Sequence, residues 1–146
     1  MTLPGVEGNG IYVYSFEEKR WKLVRVDGEA FKVGELGPGI YLVYFDNLEC
    51  GACELQDQEL MKAFDSLETD ILEKLRPVVV VCDWFARKCR SKAAAETYKL
   101  YDVHMSPTML VCKVDEKGEL CERLVGVKFV GELYYYLRKI VGKTKA

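Results

Sequence analysis

The sequence lacks several features, and each absence excludes a class of protein. Its longest tight apolar run, residues 78–82, is far too short to cross a bilayer. The first ten residues have neither the basic start nor the apolar core of a secretory signal. We therefore expect a cytoplasmic protein that does not bind membranes.

There is also no excess of one charge. The 146 residues contain 21 Lys and Arg against 23 Asp and Glu, a formal net charge of −2, and no block of like charge stands out. This balance argues against a nucleic-acid footprint and against a patch for anionic lipids. The length and the hydrophobic fraction of 49% predict a single domain over residues 1–146 that is large enough to bury a core.

Side-chain amides are scarce, whereas cysteines are not. Asn and Gln together number four, while Lys and Glu together number 29, which is the bias reported for hyperthermophile proteins. The six cysteines are many for a cytoplasmic chain, where cysteines usually bind metal, catalyse or pack in the core. Because intracellular proteins of hyperthermophiles do carry disulfides, structural disulfides remain admissible.

The order of apolar patterns predicts an α/β protein. Two β-prone segments, 11–14 and 21–26, form a hairpin, and a buried strand follows at 40–45 after a Gly- and Pro-rich stretch. Helical spacing from Cys53 to Ile71 predicts a helix of about five turns. Pro77 is expected to stop it before a second buried strand. The remaining predicted elements are a strand at 78–82, a helix at 87–101, a hairpin at 108–112 and 120–125, and a helix at 132–141.

Cys50 and Cys53 form a CxxC pair at the junction of a buried strand and an amphipathic helix. The free N–H groups and positive dipole end of a helix stabilise a thiolate, which makes the first cysteine nucleophilic near neutral pH. The second cysteine lies one turn further and can close a disulfide with the first. In an α/β chain this context favours a redox pair over two buried core thiols.

Residues 101–108, Tyr-Asp-Val-His-Met-Ser-Pro-Thr, resemble the segment of the thioredoxin family that ends in a cis-proline and threonine before a strand. The strand, turn, strand and closing helix that follow are also similar to that family. The resemblance implies a thioredoxin fold, a central mixed sheet flanked by helices. The core would cover 40–141, with residues 1–39 as an N-terminal β-hairpin extension and a helical insertion before the cis-proline.

The resemblance also implies roles for individual residues. Cys50 would be the attacking thiolate and Cys53 the resolving thiol. Ser106 and Pro107 would bind an extended substrate strand, together with Gly51 and Ala52 between the cysteines. No cofactor is expected. The implied partners are protein disulfide substrates and a thiol reductase or oxidant, as in cell redox homeostasis.

Several residues depart from the family pattern. Glu49 replaces a tryptophan, Ala52 replaces a proline, and Tyr44 stands where a buried aspartate is expected. Glu49, Tyr44 and the single histidine, His104, are the candidate modulators of the thiol pKa values, and no obvious base is found. These departures leave open an alternative, a binding, adaptor or redox-sensing module whose CxxC forms a structural disulfide.

The other four cysteines lie in two pairs. Cys82 and Cys89 are the candidate structural disulfide, with simple burial of Cys82 as the alternative. Cys112 and Cys121 would be directly opposite across the second hairpin if its turn has two residues, and offset by one if it has three. We interpret both as core or surface thiols. Neither interval fits a common zinc motif, so no metal site is predicted.

Overall fold

A computed structural model describes residues 3–142. The elements in chain order are β1 (Gly10–Ser15), β2 (Arg20–Arg25), β3 (Gly39–Asn47), α1 (Gly51–Ser66), α2 (Thr69–Leu72), β4 (Leu75–Cys82), α3 (Lys92–Leu100), β5 (Thr108–Asp115), β6 (Gly118–Val125) and α4 (Val130–Gly142). Strands and helices alternate as the apolar patterns predict, so the α/β class is confirmed.

The six strands form one mixed sheet in the order β2-β1-β4-β3-β5-β6. Only β3 and β4 are parallel, and the connection between them is α1 with α2. The other neighbours are antiparallel, including the predicted hairpins β1–β2 and β5–β6. Because β3 and β4 are central and covered on both faces, their sequences are apolar at nearly every position.

Each face of the sheet carries its own core. Leu42 and Tyr44 of β3 point to the face covered by α1 and α4, where Leu60 and Leu137 are buried. The alternate residues of β3 point to the opposite face, which α3 covers with Ala93, Ala94 and Tyr98. Because successive side chains of a strand point to opposite faces, alternate residues of β3 pack against different helices.

Two predicted boundaries were wrong around the crossover. The helix does not run five turns to Ile71; α1 ends at Ser66, Leu67 is extended, and α2 is a separate short helix that buries Ile71. Pro77 does not precede the strand but lies within β4. The ladder between β4 and β1 begins at Val78, so the missing N–H of Pro77 leaves no gap in it.

The helix expected from residue 87 begins only at Lys92, where the Ser91 hydroxyl accepts from the Ala94 N–H at 3.0 Å. The preceding residues belong to a loop that the Cys82–Cys89 disulfide closes, with the two Cα atoms 4.6 Å apart, so the chain from 82 to 89 turns back on itself and is not helical. The C-terminal hairpin has the two-residue turn, so Cys112 and Cys121 are directly paired in register.

The N-terminal hairpin is part of the central sheet, because β1 pairs with β4 from Gly10 to Val13. Asn9, just before β1, also binds the loop after β4: its side chain donates to Asp83 Oδ1 at 2.9 Å and accepts from the Arg90 N–H at 2.6 Å. The hairpin thus completes the sheet. None of the helices within residues 3–142 has the length and apolar character needed to span a bilayer.

Candidate functional site

Cys50 lies between the end of β3 and the start of α1. It is the N-cap of α1, with an extended backbone, and its sulfur accepts a hydrogen bond from the Cys53 N–H at 3.2 Å. A sulfur in this position receives one of the N–H groups that a helix leaves unpaired at its start, and it faces the positive end of the helix dipole. Cys50 is a half-buried free thiol, so its sulfur is accessible to solvent.

Cys53 is also a free thiol but is buried, with 1% of its surface exposed. Burial, followed by the hydrogen bond with Cys50, raises the pKa of Cys53 well above its ordinary value, whereas the hydrogen bond with Ser106 opposes that shift. The Ser106 hydroxyl lies 2.9 Å from the Cys53 sulfur. The two thiols therefore differ: one is poised to react, and the other must first lose a tightly held proton.

The segment before β5 lies against the two cysteines. The Ser106–Pro107 peptide bond is cis, and the Pro107 carbonyl accepts from the Gly126 N–H at 2.9 Å. The main-chain N–H and C=O of Ser106 have no hydrogen-bond partner within residues 3–142. Gly51 and Ala52, at the start of α1, are exposed on the same rim. The structure thus brings Ser106 and Pro107 to the CxxC pair.

Two carboxyl groups, those of Asp46 and Asp57, line the same cavity as the cysteines. They are candidate bases that the sequence analysis did not identify. Asp46 and Asp57 are both buried, and the Tyr44 hydroxyl donates to Asp57 Oδ1 at 2.7 Å and to the Cys53 carbonyl at 3.1 Å. Burial, then the hydrogen bond with Asp57, raises the pKa of Asp46 well above its ordinary value. Burial also raises the pKa of Tyr44, which therefore remains a neutral donor.

The carboxyl pair and the thiols share one small cavity of about 120 Å³. Its lining includes both cysteines, both buried aspartates and Glu54, which is exposed. A cavity of this size with polar walls has room for water. The Cys53 thiol and the two buried carboxyl groups therefore border the same polar cavity.

The other two candidate modulators lie on the surface. Glu49, next to Cys50, accepts from the Lys88 ammonium at 2.5 Å, and this bond raises the pKa of Lys88. His104 is exposed and its Nε2 lies 2.5 Å from Asp102 Oδ1. The hydrogen-bond partner of Glu49 is therefore Lys88, and that of His104 is Asp102.

The remaining four cysteines form two disulfides. Cys82 and Cys89 have Cα atoms 4.6 Å apart, and their bond closes the loop beside the CxxC segment. The interpretation of Cys112 and Cys121 as separate thiols was wrong: they are paired in register, their Cα atoms are 4.0 Å apart, and their disulfide joins β5 to the edge strand β6. Glu119 lies close enough to complete a three-ligand metal group with the second pair, but both sulfurs are already bonded to each other.

The similarity of this chain to known proteins lies in its fold. No family model matches the chain, and no curated protein matches it. A thioredoxin from Aeropyrum pernix superposes with a TM-score of 0.63 at 18% identity, over 92% of this chain and 96% of its own. One from Trichomonas vaginalis gives 0.54 at 17% identity, over 79% and 96%. One from Thermus thermophilus gives 0.53 at 16% identity, over 98% and 90%.

The chain therefore has the thioredoxin fold, as its resemblance to that family implied. At 16–18% identity these similarities establish the fold and not the reaction.

Proposed function

We propose that the protein is a thiol–disulfide oxidoreductase that exchanges disulfides with protein substrates through Cys50 and Cys53. The observation that carries this proposal is the asymmetry of the two thiols. Cys50 is accessible and caps a helix, whereas Cys53 is buried one turn away. An accessible nucleophile at a helix N-terminus beside a protected second thiol is the arrangement that a two-step exchange requires.

In the first step the Cys50 thiolate attacks one sulfur of a substrate disulfide. A bond forms between Cys50 and that sulfur, the substrate S–S bond breaks, and the second substrate sulfur leaves as a thiolate. The free N–H and C=O of Ser106 can pair with an extended substrate segment beside the attacked sulfur, which supports a peptide substrate.

The second step needs a proton acceptor for Cys53. We assign this role to the Asp46–Asp57 pair, which shares a cavity with the Cys53 thiol. The carboxylate takes the proton, the Cys53 thiolate attacks the Cys50 sulfur, and the first substrate sulfur leaves and is protonated. The substrate is reduced and the Cys50–Cys53 pair is oxidised to a disulfide. A dithiol reductant or an oxidised substrate then sets the direction of the next cycle.

The surface around the site suits a polypeptide partner. Met105 precedes Ser106, Leu55 follows Cys53, and the bond from Gly126 to Pro107 brings residues 125–129 alongside. Large apolar side chains are exposed in these segments and in the neighbouring loop after β4: Leu55, Trp84, Met105, Val125 and Phe129. Exposed apolar side chains in the segments that flank the two cysteines offer apolar surface to a polypeptide partner.

The test is reduction of a small protein disulfide substrate by wild type, Cys50→Ser and Cys53→Ser. We expect Cys50→Ser to be inactive and Cys53→Ser to accumulate a mixed disulfide with the substrate. The matched control is Cys112→Ser with Cys121→Ser, which removes two cysteines away from the site and should keep activity. Full activity in Cys50→Ser would rule the proposal out.

A redox titration separates this function from the alternative of a binding or sensing module. A Cys50–Cys53 pair that exchanges with ordinary dithiols supports the oxidoreductase. A pair that stays oxidised against them, below about −300 mV, is typical of a structural disulfide and would favour the binding module.

A further inference from the structure

The loop from Cys82 to Cys89 is built directly against the segment that precedes Cys50. Two main-chain bonds join them, from the Leu48 N–H to the Cys82 carbonyl at 2.9 Å and from the Glu49 N–H to the Asp83 carbonyl at 3.1 Å. Two side-chain bonds add to these, from the Phe85 N–H to Asn47 Oδ1 at 2.8 Å and from Lys88 Nζ to Glu49 Oε2 at 2.5 Å. Every residue of 47–49 is therefore tied to this loop.

The loop is held in a conformation that it would not adopt alone. Phe85 has a φ of +54°, which is unfavourable for a bulky residue and persists only where the surroundings impose it. Its ring packs against Trp84, 4.9 Å away, and against Tyr98, 5.9 Å away. The Cys82–Cys89 disulfide closes the loop at its base, with Cys82 fully buried and Cys89 half-buried.

The consequence for the site is electrostatic. The carboxylate of Glu49 is adjacent in sequence to the sulfur that must become a thiolate, and a like charge disfavours that form. Lys88 places an ammonium on this carboxylate, so the pair presents little net charge to Cys50. Lys88 lies outside the helices and the six strands of the sheet; its main chain pairs with Trp84 in a single β-bridge inside the loop that the disulfide closes.

We propose that Lys88 is a positioning residue for the reaction of Cys50, and that the Cys82–Cys89 disulfide, by holding Lys88 over Glu49, makes the reactivity of Cys50 depend on its own oxidation state. This inference rests on the proposed oxidoreductase function and adds a second redox centre to it.

The other titratable groups around Cys50 belong to different elements. Asp46 on β3 and Cys53 on α1 interact with it electrostatically, as does Tyr98 on α3, while Glu54 and Asp57 of α1 line the same cavity. None of them is in the disulfide loop. A substitution of Lys88 therefore changes the Glu49 carboxylate's counter-charge and leaves the rest of the site in place.

The Cys82–Cys89 disulfide is reduced by a dithiol reductant. Attack falls on the Cys89 sulfur, because Cys82 is fully buried. One reductant thiolate bonds to Cys89 and Cys82 leaves as a thiolate; the second reductant thiol then displaces Cys89 and closes its own disulfide. The dithiol is oxidised, and Cys82 and Cys89 become two thiols. The loop then keeps only its non-covalent contacts, and the bridge between Trp84 and Lys88 loses the covalent closure that holds it over Glu49.

The experiment measures the alkylation rate of reduced Cys50 by iodoacetamide over pH 5 to 9, resolved by peptide mass spectrometry. We expect Lys88→Met to slow alkylation at neutral pH by about threefold, the scale of an exposed ion pair, and to move the pH profile upward. Adding Glu49→Gln should restore the wild-type rate, because the charge that Lys88 offsets is then gone. Lys22→Met, which breaks an ion pair with Glu18 on the far hairpin, is the matched control and should change nothing.

The role of the disulfide is tested by a double-mutant cycle. Cys82→Ala with Cys89→Ala should slow Cys50 as Lys88→Met does, and combining the two changes should add no further effect. Wild type with Cys82–Cys89 selectively reduced gives the same readout without relying on that variant to fold. Independent, additive effects, or an unchanged rate in Lys88→Met, would overturn the inference. Failure of the oxidoreductase function itself would give a different result, because Cys50→Ser would then still reduce the substrate.

Discussion

We predict that Asp46→Asn raises the stability of the protein and lowers its activity. Only 2% of the residue is exposed, and its Oδ2 is buried without a hydrogen-bond partner. Asn has nearly the same shape but cannot ionise, and its amide can donate to the neighbouring Asp57. Asp46→Asn therefore removes a buried ionisable group without leaving a cavity.

The sign of the stability change follows from the pKa of Asp46. Burial raises this pKa in the folded protein above the value in the unfolded chain. The folded state therefore binds the proton more tightly, so the stability contributed by Asp46 is fully present below the unfolded pKa. It is lost as pH rises through the folded pKa. At pH 8 the wild type carries that cost, whereas Asp46→Asn does not.

The size of the effect comes from the cost of a buried polar group without a partner, about 1–3 kcal/mol. We expect Asp46→Asn to raise the free energy of unfolding by roughly that amount at pH 8 and the gain to shrink toward pH 4, near the unfolded pKa. The same substitution removes the acceptor for the Cys53 proton. The second exchange step should therefore slow by at least about tenfold at neutral pH while mixed-disulfide formation continues.

Urea unfolding at pH 4, 6 and 8 measures the first effect, and single-turnover reduction of a protein disulfide measures the second. Asp65→Asn, which changes an exposed aspartate near the end of α1, is the control and should show neither change. If Asp46→Asn were less stable than wild type at pH 8, with an unchanged denaturant dependence, the assignment of a destabilising buried carboxyl would be wrong.

Three further predictions follow from contacts at and beyond the site. Ser106→Ala removes the hydrogen bond that opposes the raised pKa of Cys53, so the mixed disulfide should persist longer in single-turnover assays; unchanged decay would contradict this. Cys112→Ala with Cys121→Ala should lower the free energy of unfolding by about 2–3 kcal/mol in urea while activity is kept, since the loop is short and distant from the thiols. Met105→Glu should raise KM for a protein substrate but not for a small aromatic disulfide, and equal effects on both would argue against a peptide surface.

The local parts of the site could be predicted from the sequence. The apolar run before Cys50 and the helical spacing after it place the CxxC at a strand–helix junction, and the sulfur caps that helix. Both features depend on residues adjacent in the chain, where periodicity and capping rules apply. The strands and helices were predicted for the same reason, and their errors are confined to boundaries such as Leu67 and Lys92.

The carboxyl pair could not be predicted from helical spacing alone. That spacing assigns the polar residues of α1 to the solvent, yet Gln56, Asp57 and Glu59 are buried. The segment before α4 covers them: Gln56 exchanges two hydrogen bonds with the main chain of Lys128, at 2.9 and 2.6 Å. A contact between residues 72 positions apart leaves no local pattern. The alternation of side chains along β3 does predict the position of Asp46, because Leu42, Tyr44 and Asp46 lie on the same face of the strand.

The buried polar atoms that remain unpaired indicate where this fold gives up stability. Within residues 3–142 they are Trp21 Nε1, Asp46 Oδ2 and Asn47 Nδ2. Two of the three belong to the end of β3, immediately before Cys50, although the buried polar residues of α1 nearby are satisfied. Because unpaired buried groups are rare and costly, their concentration at this strand end argues that it was not selected for stability. A carboxyl that can take up a proton beside Cys53 explains why Asp46 is tolerated there.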